Sequence, residues 1–157
     1  MQHFEPKTGP VPEVMEGKFA DVAARARTVL ANRSAEAIVT LADLAEAAPL
    51  EKTAFSCCAA EGFNTALDGA PERHQIVLTG METHVCVLQT ALELQAAGRQ
   101  VFVVADAVCS RAKANHKNAL RRLASAGVIV ANTESMLFEW MRDAKHPQFK
   151  AISQLLK

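Results

Sequence analysis

The chain has 157 residues, half of them hydrophobic, which is enough to bury a core of its own, and we expect one domain over residues 1–157. Its 17 basic and 17 acidic residues cancel, so nothing marks a surface for nucleic acid or an anionic membrane, and we expect a small-molecule ligand. No apolar run approaches the roughly 20 residues of a membrane span and no secretory signal is visible, so the expected location is the cytoplasm.

The first third of the chain has weak patterns. Residues 1–17 contain three prolines and are predicted to be irregular. Residues 20–30 have the apolar spacing of a helix, and residues 37–41 have the composition of a strand. We therefore expect few regular elements before residue 50.

From residue 75 onward, short β-branched runs alternate with longer helical patterns. Strands are predicted at 75–80, 99–106 and 128–132, and helices at 84–98 and 114–127, each helix closing on a glycine. This alternation is typical of βαβ units. It predicts an α/β fold with three layers, αβα, in which a mostly parallel Rossmann-like sheet has helices on both faces.

Two further helices are predicted at the end of the chain. The first covers residues 136–144 and can be capped by Thr133 or Ser135, whose hydroxyls suit an N-cap. The second covers residues 149–157 and is started by Pro147, whose missing N–H does no harm at a helix start.

Cys86 lies where the strand 75–80 has ended and a helix begins, at the edge of the sheet where open α/β folds bind ligands. If Thr83 is the N-cap, Cys86 lies in the first helical turn, where free N–H groups and the helix dipole favour the thiolate over the thiol. A nucleophile requires that bias. Most free cysteines are instead small buried hydrophobes, and position alone leaves both interpretations open.

Three other residues are candidates for a catalytic or binding role. Lys52 is a surface lysine by default, or a cation that supports a thiolate. Asp106 ends a predicted strand and more often caps the following turn than binds a ligand. His84 is two residues from Cys86, and residues at that spacing do not face each other on a helix, so we expect it to have a minor role.

The four cysteines are expected to be free thiols, because a reducing compartment makes disulfides unnecessary. The adjacent Cys57 and Cys58 do not have the spacing of a zinc site, and no metal is expected. A thiol redox protein based on this pair is a weak alternative, because adjacent cysteines close a strained ring.

The segment GMETHVCVLQTAL at residues 80–92 resembles the nucleophile motif of the isochorismatase-like cysteine hydrolase family. The resemblance continues through residues 51–58, 101–111, 133–144 and 146–157, and is strongest to the branch of isochorismatase domain-containing and YcaC-like proteins. It implies a hydrolase without cofactor or metal, in which Cys86 is the nucleophile.

The resemblance also assigns further site residues. Lys52 matches the family's catalytic lysine, and the backbone N–H of Cys86 belongs to an oxyanion hole next to a cis peptide bond that would join Met81 and Glu82. Phe55, Thr83 and Asp106 are candidates for the lining of a pocket.

The family's catalytic aspartate has no match in this chain. In the family motif that residue ends the first strand, whereas this sequence opens with residues that resemble those following it, so the first strand is expected to be missing. Neither Asp21 nor Asp43 has the right context to replace it. We expect coding sequence for the strand upstream of Met1, or else a truncated variant.

Two functions follow from these observations. The first is hydrolysis of a small-molecule amide or a related C–N or C–O bond through a covalent thioester-type intermediate on Cys86. The alternative is a catalytically degenerate family member that acts as a binding or assembly subunit, because loss of a general base typically costs 10² to 10⁴ in rate. A homo-oligomer is expected in either case, because a missing strand would leave an open sheet edge and apolar surface.

Overall fold

The computed structural model describes residues 50–69 and 73–156. The irregular segment at 1–17, the helix at 20–30 and the strand at 37–41 lie outside these residues, as does the expected missing strand. The described chain belongs to two compact units that divide after Asp143, so the single domain stays a prediction.

The described part of the first unit contains a three-stranded parallel sheet in the order β1-β2-β3. The strands are β1 (Gln75–Met81), β2 (Gln100–Cys109) and β3 (Ile129–Ala131). They are joined by helices α2 (Leu88–Ala96) and α3 (Lys113–Ser125). Right-handed crossovers between successive neighbouring strands place both helices on the same face of the sheet. A short 3₁₀ helix and helix α1 precede β1, at Cys57–Ala59 and Phe63–Asp68.

The core lies between this face and the two helices. Val101 and Val103 of β2 are buried there with Leu123 of α3. Phe102 and Val104 point to the opposite face of the same strand and are buried as well. Burial on both faces explains why β2 appears in the sequence as an unbroken apolar run.

Helix α4 (Thr133–Met141) packs against β2 and completes the three layers, so the predicted αβα fold is confirmed. The predicted cap of this helix is wrong. Its N-cap is Asn132, whose side-chain oxygen accepts a hydrogen bond of 2.8 Å from the backbone N–H of Ser135. Thr133 is the first helical residue, and its N–H and hydroxyl both donate to Asp106.

Helix α5 (Phe149–Leu155) belongs to the second unit. It begins two residues after Pro147, the position predicted to start it, and Gln148 is the N-cap residue. The carbonyl of Gln148 accepts a hydrogen bond of 2.9 Å from the N–H of Ile152, which closes the first turn of this helix.

Strand β2 runs three residues beyond its predicted end at Asp106. Leu78 pairs with Val103 and Gly80 pairs with Val108, so an advance of two residues on β1 opposes an advance of five on β2. This irregularity bends β2 away from the ladder. Asp106 therefore lies inside a bulged strand rather than at its end.

Candidate active site

The residues after β1 form a tight turn that carries Cys86. The peptide bond between Met81 and Glu82 is cis, at the bond where the family resemblance implies one. A single π-helical turn, Thr83–Val87, follows and leads directly into α2. The backbone N–H groups of Val85 and Val87 both donate to the Glu82 carbonyl, at 3.1 and 3.2 Å. Cys86 is half-buried within this segment, which we call the nucleophile turn (residues 82–87).

Thr83 does not cap the turn. Glu82 occupies the cap position without a side-chain capping bond, and Thr83 is fully buried as the first residue of the turn. The Thr83 hydroxyl instead lies 3.1 Å from Nδ1 of His116, on α3. A tertiary hydrogen bond thus takes the hydroxyl that local capping would have used.

A polar cluster joins the nucleophile turn to the residues after β2. Nδ1 of His84 lies 3.0 Å from the hydroxyl of Ser110 and 3.3 Å from Oε2 of Glu82. The backbone N–H of Arg111 donates to Oε1 of Glu82 at 3.4 Å, and the Arg111 guanidinium approaches Oε2 at 3.8 Å. Glu82 Oε2 is buried and accepts no hydrogen bond from the described residues, so its contact with the Arg111 guanidinium is electrostatic.

Sequence reasoning missed the residues of this cluster that follow β2. The ends of the two strands would have indicated them, because Met81 and Cys109 are paired in the parallel ladder. The residues that follow two paired strand ends meet at the same edge of a sheet, which brings Glu82 beside Ser110 and Arg111. Alignment of the two strand ends would have identified them, but it required the true end of β2.

Lys52 lies in a separate loop. Its ammonium group is exposed and donates to the carbonyls of Ala54 and Phe55, both at 2.9 Å, so its described hydrogen bonds stay within its own loop rather than reaching Cys86. Beside it is an open cavity of about 590 Å³. The lining consists of Glu51, Lys52, Thr53, Ala54, Ala59, Ala60 and Glu61.

The Lys52 loop is nevertheless anchored to the helix that follows the nucleophile turn. The Ser56 hydroxyl donates to Oε2 of Glu93 at 2.8 Å, and the N–H of Cys57 donates to the Thr90 hydroxyl at 2.9 Å. Both bonds attach the loop that carries Lys52 to α2, the helix that directly follows the turn with Cys86.

The predicted pocket of Phe55, Thr83 and Asp106 is not evident among the described contacts. Phe55 is 60% exposed, whereas Thr83 is fully buried against His116. Asp106 is engaged by Thr133, and no described contact joins the three side chains. The pocket stays a prediction.

Asp106 binds the start of α4. Its Oδ1 accepts hydrogen bonds from the backbone N–H of Thr133 at 2.8 Å and from the Thr133 hydroxyl at 3.1 Å. The predicted bond to the turn that directly follows Asp106 is wrong, because the carboxylate instead binds the start of a helix 27 residues later. A carboxylate at this position satisfies an unpaired N–H and complements the helix dipole.

We expect Asp106→Ala to lower the free energy of unfolding by about 1 kcal/mol, because it removes an acceptor from the start of a helix. Asp106→Asn, which retains an acceptor oxygen, should lose less. Urea unfolding followed by circular dichroism measures both. Equal losses in the two variants would contradict the capping role.

All four cysteines are free thiols. Burial raises the pKa of the Cys58 thiol, and the nearby Glu93 carboxylate acts in the same direction, against a hydrogen bond from Ser56 that lowers it. Within residues 50–69 and 73–156, no group of three or more metal-ligating side chains is positioned to hold an ion. No helix in those ranges has the length and apolar character needed to cross a membrane.

The chain is similar in sequence to proteins with an isochorismatase domain. The family model for the isochorismatase domain matches residues 9–135. Isochorismatase domain-containing protein 2A from Mus musculus is 41% identical over 109 residues, which are 69% of this chain and 52% of that protein. The chain thus spans about half the length of the curated relatives it matches.

Solved structures show the same fold. The MAR1 ribonuclease from Caenorhabditis elegans is 28% identical, with a TM-score of 0.67 over 87% of this chain and 78% of that one. The nicotinamidase PncA from Bacillus subtilis is 26% identical, with a TM-score of 0.52 over 60% of this chain and 53% of that one.

Proposed function

Because this chain belongs to the isochorismatase family, we propose that it is a hydrolase that cleaves a small-molecule amide or a related C–N or C–O bond through a thioester-type intermediate on Cys86. The observation that carries this proposal is the position of Cys86, half-buried in a sharp turn after a cis peptide bond at the carboxyl edge of a parallel sheet. Likeness to a nicotinamidase supports an amide as substrate.

The proposed reaction has two steps. The Cys86 sulfur forms a bond to the substrate carbonyl carbon, and its proton passes to a base, the role that the family motif gives to an aspartate. The resulting oxyanion accepts hydrogen bonds from backbone N–H groups of the nucleophile turn, and the amine leaves with a proton. Water then attacks the thioester, which releases the acid and restores the thiol.

Lys52 is proposed to act as a cation near the reacting groups. Its loop is bonded through Ser56 to Glu93 of α2, the helix that directly follows the turn with Cys86. A substrate in the cavity beside Lys52 would compete for the ammonium hydrogen bonds that now go to the loop carbonyls. The lysine would then stabilise negative charge that develops on the substrate or the thiolate.

A reactivity ranking of the four thiols tests the proposal. We expect Cys86 to react with iodoacetamide faster than Cys57, Cys58 and Cys109, because a nucleophile must be accessible as a thiolate. Cys58 should react slowly at neutral pH and faster as the pH rises, because burial raises the pKa of its thiol. Peptide mapping by mass spectrometry over a time course measures each rate. Equal rates at all four positions would contradict the assignment of Cys86.

Two alternative functions can be tested separately. The similar structure from Caenorhabditis elegans is a ribonuclease, so RNA cleavage is a second candidate function. The balanced charge of this chain argues against it, because RNA binding favours a basic surface. Cleavage of fluorescently labelled single-stranded RNA would favour the ribonuclease function, provided that alkylation of Cys86 suppresses the cleavage. An unreactive Cys86 together with stable association would favour the degenerate binding subunit.

Association into a homo-oligomer and a cytoplasmic location remain proposals. Within the described residues β1 is an edge strand, and its Val77 and Met81 are 37% and 49% exposed. Apolar side chains on an edge strand favour a covering partner, and a second copy of this chain is the one we propose.

A further inference from the structure

We infer that Ser110 and His116 are positioning residues that hold the backbone of the nucleophile turn in place for the oxyanion. This inference rests on the proposed function, because it assigns the support of the same site. Both residues come from the segment between β2 and the first helical turn of α3, which we call the supporting segment (residues 110–116).

The contacts form a continuous set. Three consecutive residues of the nucleophile turn, Glu82, Thr83 and His84, each contact a different residue of the supporting segment. The Thr83 contact is fully buried on the threonine side, and Ser110 is 7% exposed. Buried hydrogen bonds of this kind are costly to break, because the remaining partner loses its bond without regaining water.

The described hydrogen bonds between the supporting segment and the turn go through Glu82, Thr83 and His84, and none of them involves the Cys86 sulfur. The supporting segment can therefore restrain the backbone of the turn without engaging the thiol. Oxyanion donors must be held close to their productive geometry to stabilise a transition state, so these contacts would act on catalysis without touching the substrate.

Two reactions at the same sulfur separate this role from a purely structural one. Acylation by p-nitrophenyl acetate joins Cys86 sulfur to the acetyl carbon through an oxyanion and expels p-nitrophenolate. Alkylation by iodoacetamide displaces iodide from carbon and forms no oxyanion. The ratio of the two rates at Cys86 therefore reports on the oxyanion geometry and cancels changes in exposure or in the thiolate fraction.

We expect Ser110→Ala and His116→Ala to lower this ratio about tenfold or more. His116→Asn should restore most of it, because the asparagine side chain places a hydrogen-bonding atom near the position of Nδ1. His116→Gln should not, because its amide lies near Nε2 instead. Ser125→Ala, at the exposed end of α3, is the matched control and should leave the ratio unchanged.

The outcomes are distinguishable. Suppose that Cys86 is acylated in the wild-type chain, and that the ratio of acylation to alkylation is unchanged in the Ser110 variant and in all three His116 variants. That result overturns this inference and leaves the proposed function standing. Failure of Cys86 in the wild-type chain to acylate at all overturns the proposed function and the inference with it. If an alanine variant does not fold, the His116→Asn and His116→Gln pair decides: equal ratios overturn the inference, and a selective loss in His116→Gln supports it.

Discussion

Cys86→Ala is expected to reduce the release of p-nitrophenolate from p-nitrophenyl acetate by at least about 10³-fold, to the rate of the reagent in buffer. The reason is that the thiol supplies the only bond-forming atom of the proposed first step, and no neighbouring group replaces a removed nucleophile. Stopped-flow absorbance measures the release, and intact-protein mass spectrometry measures the acyl group on the protein.

Cys57→Ser is the matched control for this substitution. Cys57 contributes its backbone N–H, not its sulfur, to the bond with Thr90, so the serine variant retains that bond. It should acylate at the wild-type rate. An acyl group that persists in the Cys86→Ala variant, or disappears in Cys57→Ser, would show that another cysteine carries the reaction.

Leu123→Ala is expected to lower the free energy of unfolding by about 3 kcal/mol. The Leu123 side chain is fully buried on α3 and belongs to the cluster with Val101 and Val103 of β2, so its truncation leaves a cavity against the sheet. A loss of this size is a large share of the net stability of a small domain. Urea unfolding monitored by circular dichroism gives the value.

Lys117→Ala on the same helix is the control. Lys117 is exposed, and its replacement should change the free energy of unfolding by less than about 0.5 kcal/mol. Similar losses in the two variants would mean that α3 does not pack on the sheet through Leu123, and the order of layers described above would be wrong.

The amino-acid sequence by itself determined the regular elements from residue 75 onward. The β-branched run of β2 and the apolar spacing of α3 are local signals that do not depend on neighbouring elements. Both elements are present as predicted, except that β2 ends at Cys109 instead of Asp106. The motif around Cys86 also identified the family, because its residues are contiguous and need no tertiary information.

Only the tertiary structure decided how these elements meet at the site. Thr83 looked like a cap because its hydroxyl suits one, but His116, 33 residues later, takes that hydroxyl. Asp106 looked like a strand end because the apolar run stops there, yet the ladder resumes beyond it as Val108 pairs with Gly80. His84 appeared to have a minor role because only its spacing from Cys86 could be judged, whereas its partner Ser110 lies 26 residues away. In each case the deciding hydrogen bond joins residues that are distant in the chain, and periodicity and spacing describe only the contacts that one element makes within itself.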